Sequence, residues 1–389
     1  MRYSGYLVDG KVYKQFTHDE KSNSYEILTE ISQTPGEMVR EQVKALANDT
    51  LVFGGDEVWF YRSDDNGQTW DSLTDETPGD NRRELFGTGS SFDDKEYMHV
   101  DKYPTSPFKD NIYISWDNGG TINFARSIDD GNTFTLQNFA SEPDGIGTDI
   151  VTDSSGAVYN FWPVPSSREI RMNKSTNGGS TFATSVKVAD TIGSFDFPIP
   201  SMNSRNVFIY TSVDVDLTGG SYHNRIYAAW TDNTVNDSTT ASNNHARIQV
   251  AYSTDGGSKW TVKTPHSTSD STTVDRWHQW LKVDKNGLVH VVFYDTRNST
   301  NRSGVDFYHS YSTNGGDTWS SPERLTSVTS NAGSGFQFGD YNGMDFGSDG
   351  KGIAIFSDNR VEGGGSADMD VYVTPVSTDY DLIFKNDFE

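Results

Sequence analysis

Apolar residues along this chain fall into short runs, and the runs recur in a fixed order. The strongest read "NIYISWD", "AVYNFWP", "RIYAAWTD", "LVHVVFYD" and "KGIAIFSD". Ahead of several stand weaker runs, "EYMHVD", "TDIVTD" and "HQWLKVD". Alternating segments also recur, "VWFYR", "INFAR", "EIRMNK", "IQVAY" and "VDFYHSY". Runs this short, rich in Val, Ile, Tyr, Phe and Trp and bounded by Gly, Asn and Asp, predict β-strands. Each unit reads strand, turn, strand, loop, strand, turn, strand, which is a four-stranded antiparallel meander.

The second turn of each unit is nearly the same eight letters. It appears as "SDDNGQTW" (63–70), "SIDDGNTF" (127–134), "STNGGSTF" (175–182), "STDGGSKW" (253–260) and "STNGGDTW" (312–319). Ser stands first, Asp or Asn third, Gly fifth and Phe or Trp eighth, with starts 64, 48, 78 and 59 residues apart. A single four-stranded sheet cannot cover both its faces, so such units stack around an axis. The expectation is therefore all-β: a six-bladed β-propeller with four-stranded antiparallel blades. Five boxed turns mark five blades. A sixth, unboxed unit follows in "GDYNGMDFGS", "KGIAIFSD" and "ADMDVYVTPV". Its missing outer strand is expected from residues 24–32, "SYEILTEIS", which would close the ring and cover the sheet edges. The propeller is thus expected over residues 1–377, with 1–23 an extension and 378–389 a tail. The polar inserts at 233–246 and 296–304 read as blade loops.

Composition narrows the classes. A hydrophobic content of 33% would by itself suggest disorder, but aromatic residues reach 13%, which an unfolded chain rarely carries. The net charge of −24 argues against nucleic acid, whose phosphates call for clustered Lys and Arg. Without cysteine there are no disulfides, thiolate nucleophiles or Cys-ligated zinc. No run of about 18 apolar residues is present, so no membrane-spanning helix is expected. The opening "MRYSGYLVDG" has no signal-peptide pattern. The acidic, Ser/Thr/Asn/Gly/Tyr-rich character nevertheless points to an exported protein, extracellular or periplasmic, and to a monomer.

The boxes resemble the Asp-box, or BNR, repeats of the sialidase superfamily of β-propellers. The resemblance spans roughly residues 24 to 377, and phrases such as "LKVDKNGLVHVVFYDTR" resemble secreted bacterial members. It implies that the boxes are structural turns on the face opposite the active site, in a family of exo-sialidases, other glycan-active enzymes and binders. The local chemistry agrees, since Asp or Asn caps turn amides and Gly supplies positive φ. Asp64, Asp65 and Asn66 lack the spaced oxygens and distant Glu of an EF-type calcium loop.

Candidate chemistry then lies at the opposite ends of the strands. Asp94, Glu96, Asp275, Arg276, His278, Asp340 and Tyr341 stand at the entries to the innermost strands, and Arg297 and Arg360 end two "DTR" and "DNR" phrases. An exo-sialidase holds its substrate carboxylate with three arginines, since planar forks match a carboxylate. The resemblance thus implies Arg276, Arg297 and Arg360 as the clamp, Tyr341 as nucleophile, and Glu96, Asp94 or Asp275 as partner carboxylates. The family's Arg-Ile-Pro motif is absent, however. "FPIP" (197–200) has Pro198 where the Arg belongs, so a standard exo-sialidase is not expected. Each candidate also has a plain structural reading: Asp-x-Arg endings pin loops, His278 packs, and Tyr341 plugs the axis. The leading reading is a sialidase-like glycosidase acting on an acidic sugar; the alternatives are a uronic-acid lyase using Tyr341, His278 and Arg276, and a glycan or protein binder using an exposed Trp277. No cofactor is required by these readings. A structural Ca²⁺ would suit the oxygen-rich loops.

Overall fold

The computed structural model describes residues 93–331, 338–339, 341–347, 350–358 and 370–376, and, as backbone, the strands between residues 6 and 86. Among the described residues the structure is almost entirely antiparallel β, with one short 3-10 turn at Ala241–Asn243. Strands β1 (Tyr6–Val8), β2 (Lys11–Asp19) and β3 (Ser24–Leu28) form one sheet, and β4 (Asp49–Phe53), β5 (Val58–Ser63) and β6 (Arg83–Phe86) another. Two four-stranded meanders follow. The first is β7 (Asp93–Val100), β8 (Ile112–Asn118), β9 (Thr121–Ser127) and β10 (Thr135–Asn138). The second is β11 (Asp149–Thr152), β12 (Val158–Val164), β13 (Glu169–Ser175) and β14 (Val186–Asp190).

A separate hairpin, β15 (Asp196–Ile199) and β16 (Met202–Phe208), interrupts the series. The meander resumes with β17 (Thr211–Val215), β18 (Ile226–Asn233), β19 (Ala246–Ser253) and β20 (Thr261–Lys263). Next come β21 (Arg276–Val283), β22 (Val289–Asp295), β23 (Gly304–Ser312) and β24 (Glu323–Arg324), with β25 (Ser330–Asn331) also on β23. The last sheet is β26 (Gly343–Phe346), β27 (Gly352–Asp358) and β28 (Asp370–Val376).

The repeats share one register. Ser127, Ser175, Ser253 and Ser312, the first residues of four boxes, pair with Ile112, Val158, Ile226 and Val289. Four residues further along the second strand stand Trp116, Trp162, Trp230 and Phe293, all buried. Burying each of these rings contributes on the order of 2–3 kcal/mol. Both faces of β12, β18 and β22 are buried throughout, so each sheet needs a neighbour on either side. The first strands satisfy this by lying side by side in chain order: β4 near β7, then β7, β11, β17, β21 and β26.

The boxed turns carry one hydrogen-bond network four times among the described residues. The Ser hydroxyl donates to the third-residue Asp or Asn and accepts the fifth-residue amide. At Ser253 these bonds are 2.9 Å to Asp255 Oδ1 and 2.9 Å from the Gly257 N–H. The third-residue side chain also accepts the seventh amide, at 2.8 Å from Thr133 and 2.9 Å from Thr181, Lys259 and Thr318. The fifth residue is left-handed, with φ +90° at Gly257, and lies against the preceding sheet. A Cβ there would stand 2.4 Å from Met172 Cε. The positive φ therefore calls for glycine, and a Cβ there would also have to displace the Met172 methyl.

The expected closing strand is not found among the described residues. Residues 24–28 do not extend the last sheet: β3 pairs with β2, and β28 has no second partner among the described strands. The first box (64–70) and the tail (378–389) lie outside the described residues.

Removing the buried Ser253 hydroxyl leaves the Gly257 amide unsatisfied. Ser253→Ala should cost about 1 kcal/mol in chemical denaturation, whereas Thr254→Ala, at the variable second position, should leave the midpoint unchanged.

Candidate functional site

Antiparallel topology puts the boxes at the C-terminal ends of the third strands, and so at the end opposite the N-termini of the first strands. There, around the axis, a pocket is lined by Tyr97, Phe208, Tyr210, Thr211, His278, Gln279, Trp280, Tyr341 and Asn342. These come from the starts of β7, β17, β21 and β26 and from the end of the β15–β16 hairpin.

Two of the inner strands are built alike at this point. β7 is bulged between Asp94 and Tyr97, and β21 between Trp277 and Trp280. Inside the bulges Lys95 and His278 take left-handed backbone, φ +55° and +48°, a conformation costly for any residue with a Cβ. Such bulges re-aim side chains. Lys95, almost wholly buried, holds its ammonium 3.8 Å from the Tyr210 ring centroid and 3.7 Å from that of Tyr341. His278 donates its backbone N–H to Thr231 Oγ1 (3.0 Å), accepts the Asn342 side-chain amide at its carbonyl, and meets Tyr294 edge-on. Gln279 is fixed by Tyr210 O, Ala229 O and the Thr231 hydroxyl. Tyr97 and Trp280, which follow the bulges, meet with ring centroids 5.9 Å apart. Among the described residues the Trp280 indole N–H has no hydrogen-bond partner.

Tyr341 lines this pocket, and burial, with Tyr97, Glu96, Asp94 and Tyr210 around it, pushes its phenol well above the usual range. Asp94 and Glu96 are half-buried on the same bulge, where Asp94 Oδ1 accepts the Lys95 N–H at 2.8 Å. The other candidates are committed elsewhere. Arg276, 1% exposed, forks onto Asp270 at 3.0 and 2.6 Å and donates to Asp295 at 2.7 Å. Arg297 pairs with the same Asp295 oxygen at 2.6 Å and lies over Tyr308. Asp275 is fully buried, receives Arg302 at 3.0 and 3.1 Å and the Ala246 N–H at 3.1 Å, and is pushed up to about 6 by burial. Trp277, expected to be an exposed platform, is instead wholly buried and stacked on Tyr294. It therefore has no face to offer a ligand. Asp340 and Arg360 lie outside the described residues.

Sequence reasoning missed most of the pocket lining, including Tyr97, Tyr210, Gln279 and Trp280, and missed Lys95 behind the Tyr210 and Tyr341 rings. Aligning the inner strands on their terminal Asp101 and Asp284 would have put Lys95 at the place of His278. Below the pocket the inner strands carry more charge: Asp149 on β11, Asp214 on β17, Lys282 on β21 and Asp345 on β26. Burial pushes Asp149 up to about 7, although it accepts the Val213 and Ile150 amides. Lys282 is raised despite its burial, by Asp214, Asp345 and Asp149. Among the described residues no group of three or more His, Asp or Glu is disposed to hold a metal ion.

No protein-family model matches the chain, and no curated protein matches it. Solved structures do. The α-L-arabinofuranosidase Arb93A of Fusarium graminearum is 11% identical with a TM-score of 0.47, over 97% of this chain and 92% of that one. A PL25 ulvan lyase is 11% identical with a TM-score of 0.43, over 91% and 78%. A protein of unknown function from Dyadobacter fermentans is 12% identical with a TM-score of 0.43, over 74% and 84%. Likeness this distant carries nothing about chemistry.

Two outcomes follow from the geometry. At a left-handed position Gly is easier than Ala, so Lys95→Gly should be more stable than Lys95→Ala by about 1 kcal/mol, with His278→Gly and His278→Ala in the same order. Ordinary strand positions give the reverse. The second concerns pH. Asp149 and Asp275 have folded pKa values near 7 and 6, above those of the unfolded chain. The folded state therefore holds more protons between about pH 4 and 7, and this contribution to stability is lost as pH rises through that window. Thermal melts should show a falling Tm over that range, with a shallower fall in Asp149→Asn.

Proposed function

We propose that the chain is a six-bladed β-propeller of the Asp-box type, akin to the sialidase superfamily, and that it processes an acidic glycan in the axial pocket by β-elimination. Six blades correspond to the sheets β4–β6, β7–β10, β11–β14, β17–β20, β21–β24 and β26–β28. The repeated Ser–Asp/Asn–Gly turn network supports the Asp-box kinship.

One observation carries the chemistry: the Lys95 ammonium is buried between the rings of Tyr210 and Tyr341, which line the pocket together with His278. A uronate loses its C5 proton only when its carboxylate charge is offset, and a buried ammonium supplies that offset. His278 then takes the C5 proton, and the C5 electron pair forms the C4=C5 bond. The C4–O bond breaks, and the departing oxygen takes the Tyr341 proton. The raised pKa of Tyr341 suits a proton donor and opposes a role as nucleophilic phenolate. The three-arginine clamp has less support, because Arg276 and Arg297 are both engaged by Asp295. Hydrolysis is a second reading, favoured by the closeness of Glu96 and Asp94 to Tyr341.

The test is incubation with polygalacturonate, alginate and hyaluronate. Elimination yields an unsaturated uronate, seen as rising ultraviolet absorbance, and Tyr341→Phe should lower kcat by roughly 10²–10⁴. New reducing ends without absorbance would select hydrolysis, and binding without turnover would reduce the site to a recognition surface.

A further inference from the structure

Two hydrogen bonds set how β17 and β21 meet at the pocket. Gln279 Nε2 donates to Tyr210 O at 2.8 Å, and the Leu281 N–H to Ser212 Oγ at 3.0 Å. Residues 210–212 therefore run beside 279–281, with Thr211 and Trp280 at one level on the two strands. Both of these residues line the pocket.

Other polar groups of the pocket are engaged within the protein. The Gln279 amide is held by Tyr210 O, Ala229 O and the Thr231 hydroxyl, and the Asn342 side-chain amide by the His278 carbonyl. Thr211 and Trp280 differ. Thr211 is 4% exposed, yet among the described residues neither its hydroxyl nor the Trp280 indole N–H has a hydrogen-bond partner. A buried polar group without a partner raises the free energy of the folded state, and it favours any ligand that supplies one. The indole N–H only donates, whereas a Thr hydroxyl also accepts. A sugar hydroxyl, which accepts at its oxygen and donates its hydrogen, answers both. Neither group carries a charge to offset a carboxylate, and Asp94 and Glu96 stand on the β7 bulge that ends at Tyr97, whose ring meets Trp280.

We propose that Thr211 and Trp280 are specificity-determining residues that bind an uncharged hydroxyl of the sugar in the pocket. The protein then selects its glycan by hydroxyl pattern as well as by charge, because a site made to hydrogen-bond a hydroxyl rejects analogues that lack it. This rests on the acidic-glycan reading of the pocket.

The experiment measures kcat, KM and calorimetric Kd on whichever of polygalacturonate, alginate and hyaluronate the protein cleaves or binds, across a range of salt. Alongside, it measures the denaturation midpoint of each variant without polymer. Thr211→Val and Trp280→Phe remove the hydroxyl and the N–H while keeping most of each side chain. Each should raise KM and Kd about three- to ten-fold, change kcat less, and leave the salt dependence as in the wild type. Thr211→Ser, which keeps the hydroxyl, should hold KM near the wild-type value. The midpoint of Thr211→Val should not fall, since no bond is lost. That of Thr231→Val should fall, because the Thr231 hydroxyl accepts the His278 N–H and donates to Gln279. Unchanged KM and Kd in either Thr211→Val or Trp280→Phe overturns the assignment while the acidic-glycan reading stands. A Thr211→Val midpoint that falls as far as that of Thr231→Val marks a bond within the protein and overturns it too. A flattened salt slope makes the bound group a carboxylate and overturns the hydroxyl. A wild-type protein that neither cleaves nor binds any of the three polymers overturns both readings.

Discussion

The structure depends on one constraint: each meander is a sheet with two apolar faces, and a sheet alone can cover neither. The second strands β12, β18 and β22 are buried from end to end. Each must find a neighbouring sheet on both sides. The large rings at the equivalent places Trp116, Trp162, Trp230 and Phe293 fill the gaps between sheets. The boxed turns complete the same packing from below, since their glycines let backbone settle onto the previous sheet. Repetition of sequence is thus repetition of an interface.

That demand explains where chemistry can be tolerated. Where the first strands of these sheets come together, aromatic rings and polar groups share the space. Polar and charged side chains collect there: Lys95 and His278 near the strand starts, and Asp149, Asp214, Lys282 and Asp345 deeper in. Low dielectric raises the energy of each charge. The raised carboxyl of Asp149 and the raised ammonium of Lys282 are two responses to that environment, one drifting toward neutrality and the other held charged by neighbours.

Much of the fold was legible because it is periodic. Box spacing revealed the unit and the strand order within it. The closing strand was not legible: "SYEIL" has the alternation of a strand but nothing in it names a partner, and it pairs with β2. The site was legible only in part. Of the residues singled out at strand starts, Tyr341 and His278 line the pocket, with Asp94 and Glu96 on the bulge near Tyr341. Arg276, Arg297 and Asp275 share that placing and chemistry, but each has found an opposite charge within the protein, and pairing cannot be read from one strand at a time. Lys95 was passed over because one lysine in an acidic stretch looks like a solvated charge. Only the bulge, which turns it inward, reveals it.

The meeting of Tyr97 with Trp280 has a consequence for traffic. These residues come from strands separated by β11 and β17, so their contact bars the middle of the axis. On the acidic-glycan reading, a polymer is then not threaded past these rings but meets the pocket from one side, with a short stretch dipping toward Tyr97 and Trp280.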